Sequence, residues 1–218
     1  MKQSLGILAL AALGLTLAVP SAARADTITF ALTSDHCTDG CLTGQTSGGT
    51  VTIMDVSGGV SVDVTLANAN RFVSTGFDTD FGFNLANNPT ITFSGVTSGF
   101  TPVANPQTAG SLHMDGTGFF EYGVNCTACG NGGSNPQSGP LDFTITAAGL
   151  TTASFQQNAA GQFFAVDMIS GTTGKTGAVD ASVGTPVPGP LAGAGLPGLV
   201  AACVGLIGLA RRRRQKLA

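Results

Sequence analysis

The chain contains no tryptophan, one tyrosine and only two histidines. Aromatic burial therefore rests on thirteen phenylalanines, and a sugar-stacking platform of Trp and Tyr is reduced to Tyr122. His36 and His113 are too few for a three-histidine metal centre, and neither lies in a catalytic motif. Basic residues are scarce through the middle of the chain. All twelve acidic residues lie between Asp26 and Asp180, where Arg71 and Lys175 are the only cations, so this stretch carries about −10. Such a charge disfavours nucleic acid and anionic lipid as partners. No helical apolar stripe occurs before residue 191, and no fixed repeat recurs, which argues against a helical bundle and a β-solenoid.

What is present is alternation. Thr27-Ile28-Thr29-Phe30-Ala31-Leu32, Thr50-Val51-Thr52-Ile53 and Val60 to Leu66 repeat with period two. So do Phe81 to Leu85, Thr90 to Phe93, Leu141 to Ile145 and Phe163 to Ile169. These runs are rich in Thr, Val, Ile and Phe and are broken by Gly, Asn, Asp and Pro, the pattern of short antiparallel strands. Ser57-Gly58-Gly59 reads as a hairpin turn. About 160 residues suffice for one core, so the expected fold is all-β: a single antiparallel β-sandwich of roughly eight to ten strands over residues 26–170. Phe30, Phe72, Phe81, Phe83, Phe93, Phe143 and Phe164 are the candidate core. Residues 97–110 and 130–140 read as irregular loops, and the Gly/Thr-rich stretch 171–186 as a linker.

Chemistry-bearing residues are few. Cys37 and Cys41 are spaced C-x3-C, and Cys126 and Cys129 C-x2-C. In an oxidising compartment the even count favours disulfides, with the local pairs preferred among three connectivities. A zinc site of four thiolates, or one recruiting His36 or His113, is the alternative that this spacing leaves open. Asp78-Thr79-Asp80 is a candidate Ca2+ ligand pair at a turn, although it lacks the twelve-residue EF-hand loop. Asn125-Cys126-Thr127 matches a glycosylation sequon, with Cys126 better explained as a disulfide partner. The carboxylates are too scattered to choose an acid/base pair, so no catalytic residue and no cofactor is assigned.

The ends carry a different message. Met1-Lys2, an uncharged Leu/Ala run from Leu5 to Val19, and Ala23-Arg24-Ala25 form a signal peptide, residues 1–25, with cleavage expected after Ala25. At the other end stand Val187-Pro188-Gly189-Pro190, an apolar stretch from Ala192 to Ala210, and Arg211, Arg212, Arg213, Arg214 and Lys216. About 19 residues make roughly 28 Å of helix, enough to cross a ~30 Å hydrocarbon core. The cationic cluster is expected to stay in the cytoplasm and the domain outside the inner membrane.

Residues 187–218 resemble the PEP-CTERM sorting signal of exported Gram-negative proteins, in which a Pro-Glu-Pro motif precedes a transmembrane helix and an Arg-rich end. This chain has Val187-Pro188-Gly189-Pro190 without the glutamate, and so is similar to the VPGP-type tails. The resemblance implies handling by signal peptidase and by an exosortase that cleaves near residues 187–190, with the inner membrane as a transient host. It implies a destination at the cell surface or outside the cell, with exopolysaccharide as a candidate partner. The resulting expectation is a non-catalytic surface or matrix protein, structural or adhesive. The competing expectation is a secreted carbohydrate-binding module or hydrolase built on a β-sandwich.

Overall fold

A computed structural model describes residues 26–103 and 110–187. The fold is all-β and every strand pair between named strands is antiparallel. The first sheet contains β1 (Thr27–Ala31), β3 (Gly49–Val56), β4 (Gly59–Leu66), β7 (Thr92–Ser94), β12 (Leu141–Thr146) and β16 (Gly184–Val187). Its order is β16-β1-β3-β4-β12-β7. The second runs β2 (Ser34–Asp35), β15 (Thr176–Ala181), β14 (Phe164–Ile169), β6 (Phe81–Leu85), β11 (Tyr122–Cys126) and β8 (Phe100–Pro102). Two short strands complete it: β5 (Arg71–Phe72) beside β14, and β13 (Phe155–Gln156) beside β6. A separate hairpin joins β9 (Leu112–Met114) to β10 (Gly118–Phe120).

The β3–β4 hairpin shows why the alternation folds this way. Val51 and Ile53 point inward with Val60, Val62 and Val64, while Thr50, Thr52, Ser61 and Thr65 line the outer face. Val56 pairs with Gly59 across Ser57-Gly58, and Gly58 takes a positive φ of 79° that favours glycine.

Both sheets turn their apolar faces to one shared core, giving a sandwich. Phe81 lies 5.9 Å from Phe143 of the facing sheet, Phe30 meets Phe164 edge-on at 4.8 Å, and Phe83 stacks on Tyr122 at 5.3 Å. Each such side chain contributes roughly 1.5–3 kcal/mol by leaving water, and favourable ring geometry adds about 0.5–1.5 kcal/mol. Six of the seven expected core phenylalanines are buried; Phe93 is half-buried because β7 is the edge of its sheet. Tyr122 is buried as well, its hydroxyl lying 2.5 Å from Asn88 Oδ1 and 2.6 Å from the Pro89 carbonyl, which share its one proton.

Two expectations need correction. Nine strands of four residues or more match the expected number, but seven further pieces of two or three residues bring the described total to sixteen. More consequentially, 171–186 is not a linker. Residues 176–181 pair with β14 along their whole length, and residues 184–187 form the edge beside β1. Small side chains concealed this strand: Gly177 fits against Cys37, where a Cβ would come within 2.9 Å of the Cys37 Cα. Ala178 and Asp180 lie on one face of β15 and Val179 and Ala181 on the other, and all four are buried.

The cysteines form the two local disulfides, Cys37–Cys41 and Cys126–Cys129, with Cα separations of 5.5 and 5.3 Å. That excludes the thiolate zinc alternative, since each sulfur is bonded to another. Asp35 beside the first bridge caps its loop, accepting from the Cys37 and Leu42 amides.

The β9–β10 hairpin lies over the outer face of the second sheet, adding a partial third layer. Leu112, Met114 and Phe120 pack there with Ala165 and Ala178. The contact depends on Gly82, where a Cβ would sit 2.7 Å from the Phe120 ring. Replacing Gly82 with Val is expected to lift the hairpin off the sheet at a cost of about 1–3 kcal/mol. Amide exchange should then lose protection over residues 112–120 while the β3–β4 hairpin keeps it.

Candidate functional site

The outer face of the second sheet gathers the buried carboxylates of the domain. Register places Gly123, Gly82, Ala165, Asp180 and Ser34 in one row across the second sheet. The adjacent row holds Asp80, Asp167 and Ala178: the Asp167 amide donates to the Asp80 carbonyl at 2.8 Å, and Asp167 faces Ala178. Alternation thus sends three carboxylates to the outer face, where the small residues leave room for the hairpin. Asp167 and Asp180 are fully buried, and Asp80 is 3% exposed.

Each acid is held differently. Thr75 donates its backbone N–H and its hydroxyl to Asp167 Oδ2, both at 2.7 Å, while Asp167 Oδ1 is buried without a hydrogen-bond partner. Burial, with the Asp80 charge adding to it, pushes the Asp167 carboxyl up to about 7 against the Thr75 bonds. Asp80 Oδ2 accepts the Cys126 N–H at 2.7 Å, and the Ser74 hydroxyl also bonds the carboxylate. Burial outweighs both and pushes Asp80 up to about 6. Asp180 Oδ2 lies 2.7 Å from His36 Nε2; burial raises its carboxyl, with His36 and Ser34 opposing.

His36, Ser34 and Asp180 are the trio that invites a catalytic reading, and their geometry argues against a relay. Ser34 Oγ lies 3.0 Å from His36 Nε2, the same nitrogen that meets Asp180. A Ser-His-Asp relay needs the acid on one ring nitrogen and the nucleophile on the other. The opposite side of the ring is covered by the β9–β10 turn: a Cβ on Gly116 would lie 2.8 Å from His36 Nδ1. His36 therefore bonds a buried carboxylate and seats the hairpin.

Asp78 and Asp80, the sequence candidates for Ca2+, do not converge. Asp78 is exposed and accepts the His113 N–H at 2.8 Å, anchoring the base of the hairpin, whereas Asp80 turns into the sheet. The sequon residue Asn125 uses its amide oxygen to accept the Asp80 N–H at 3.3 Å. Asp167 and Asp180 escaped sequence reasoning because one occupies a nominally solvent-facing strand position and the other lay in the supposed linker. The signal was the run of small residues at Gly82, Gly123, Ala165 and Ala178, which marks a sheet face that something else covers.

Elsewhere, Ile28, Phe30, Phe155, Phe163 and Val183 line an open apolar groove of about 400 Å³ at the β1–β16 edge. Phe119 on the hairpin is 53% exposed and packs against the His113 ring at 4.8 Å. The expected signal peptide with Ala23 and Ala25, motif residues Pro188 to Pro190, the span 192–210 and the cluster 211–216 lie outside the described residues. Val187 ends β16. Among the described residues no helix is long and apolar enough to cross a membrane. No family model, curated protein or solved structure matches the chain.

The raised carboxyls set the direction of a pH effect. The folded state keeps protons on Asp80 and Asp167 up to pH about 6 and 7, whereas the unfolded chain releases them near 4. Between those limits the native state binds more protons, so stability falls as pH rises and levels off above about 7. Asp180 acts in the same direction. Asp35 acts oppositely: burial raises it, but the Leu42 and Cys37 amides hold it below the ordinary value. Urea midpoints in metal-free buffer are expected to drop from pH 5 to pH 8. Asp167→Asn should raise the midpoint at pH 8 and flatten the slope.

Proposed function

We propose that this chain is an exported, non-catalytic surface or matrix protein of a Gram-negative bacterium, structural or adhesive in the envelope or exopolysaccharide. The observation that carries the reading is the order of features over residues 187–218: a Val-Pro-Gly-Pro motif, an uncharged apolar run, then four consecutive arginines and a lysine. That order resembles a PEP-CTERM sorting signal, and the signal-peptide pattern of residues 1–25 is its counterpart. Export would deliver the domain to an oxidising compartment, with which the two disulfides are compatible.

The domain itself supports a scaffold role. Its polar residues pin loops: half-buried Asp55 accepts the Thr152 N–H through Oδ1, buried Asn158 donates to the Thr117 carbonyl, and buried Asn70 donates to the Gly48 carbonyl. A net charge of about −10 over residues 26–186 keeps such a scaffold soluble and apart from anionic surfaces.

A second reading, a carbohydrate-binding module, rests on Phe119, the exposed aromatic of the hairpin, with the His113 ring beside it. Tyr122, the residue that composition offered for that role, is buried. Binding on a glycan array that Phe119→Ala removes would favour this reading over the scaffold.

The sorting reading is tested by intact-mass analysis of the envelope and extracellular fractions. The mature chain is expected to begin at Asp26 and to lack Arg211 to Lys216. Replacing Pro188 and Pro190 with Ala should leave uncleaved precursor in the inner membrane. A surface fraction still carrying the arginine cluster would defeat the proposal.

A further inference from the structure

We infer that Asp80 and Asp167, with the Ser74 hydroxyl, form a binding site for a divalent cation, and that its chemistry is that of Ca2+. The inference is independent of how the chain is sorted.

The location follows from the sheet. β5 and β6 lie along the same edge of β14, Phe72 opposite Met168 and Phe81 opposite Val166. Asp167 sits where they part: its carbonyl accepts the Val73 N–H at 3.3 Å and its N–H donates to the Asp80 carbonyl at 2.8 Å. Residues 73–80 leave the sheet and return at this neck, with both carboxylates on one face of it.

Neither protonation state of Asp167 is complete. With Oδ2 accepting two Thr75 hydrogens, an ionised Asp167 leaves Oδ1 charged and unpartnered in a fully buried position. A proton on Oδ1 would need an acceptor, and among the described residues none lies within hydrogen-bond reach; Asp80 acts on Asp167 through its charge rather than by a hydrogen bond. Buried polar groups are ordinarily paired, and buried charges are paired or bind metal. The two basic residues of the domain do not serve this pair: Lys175 bonds Asp39, and Arg71 is exposed and acts on neither carboxyl. A single divalent ion balances two carboxylates and supplies the missing partner.

The donor set chooses the ion. Asp167 offers its unpartnered Oδ1, and the Asp80 carboxylate and the Ser74 hydroxyl bonded to it add oxygen donors. An all-oxygen set without nitrogen or sulfur suits a hard cation, and Ca2+ tolerates irregular geometry completed by water better than Mg2+ does. An ion at the neck would fix the 73–80 loop, whose Asp78 holds the hairpin through the His113 amide.

The test uses the full chain purified in detergent, stripped with EGTA and titrated at pH 7.5 with CaCl2, or with MgCl2 at matched ionic strength. Calorimetry should give one Ca2+ per chain with Kd on the order of 10⁻⁴–10⁻³ M, the range of extracellular modules. Ca2+ should raise Tm beyond Mg2+ at that pH. Asp167→Asn should abolish the Ca2+-specific gain, while Asp78→Asn should retain it. Equal shifts with both ions in the unmutated chain, or no binding heat, would overturn the site whether or not the variants fold. So would an Asp167→Asn protein that keeps the full Ca2+ response.

Discussion

The second sheet must be covered on both faces, and much of the domain depends on how that requirement is met. One face joins the common phenylalanine core; the other receives the β9–β10 hairpin. A sheet face can accept a second layer closely only where side chains are small: Gly82, Ala165 and Ala178 admit the hairpin, and Gly123 admits Thr79. The same face holds Asp80, Asp167 and Asp180, where Thr75 bonds Asp167, the Cys126 amide bonds Asp80 and His36 lies against Asp180. Covering the face and burying its acids are therefore coupled.

That coupling explains the loop architecture. A buried carboxylate must find donors, and in a domain with two basic residues most come from backbone amides and hydroxyls. Asp167 takes Thr75, Asp80 takes Cys126 and Ser74, and only Asp180 has a titratable partner, His36. The acids thus tie the 73–80 loop and the turn after β11 to the centre of the sheet. The Cys126–Cys129 bridge starts at the amide that Asp80 holds, so covalent and electrostatic restraints reinforce one turn.

Period-two alternation made the first sheet legible, because β3, β4 and β12 each bury one face and expose the other. Cysteine spacing likewise foretold the local bridges. The second sheet was harder to read for a physical reason: it is buried on both faces, so the small and acidic positions of its alternating strands are covered too. β15 presents Gly, Ala and Asp, residues that composition assigns to a linker, and its strand character comes from pairing with β14. Asp167 was not singled out because alternation identifies the face and not what covers it. Asp78 and Asp80 share a sequence motif and part company in space, since the chain re-enters the sheet between them.

Placement of charge also separates the proposed address from the proposed scaffold. The strong cationic cluster stands beyond residue 210, and the acidic residues all stand before residue 181, with an uncharged stretch of about thirty residues between. A cationic end opposes translocation, whereas an acidic domain with few cations does not, so the segregation suits a chain whose two parts reside on opposite sides of a membrane. Buried acids fit the same division. A domain that meets millimolar divalent cations outside the cell can leave carboxylates without basic partners, because the medium supplies the countercharge that the sequence omits.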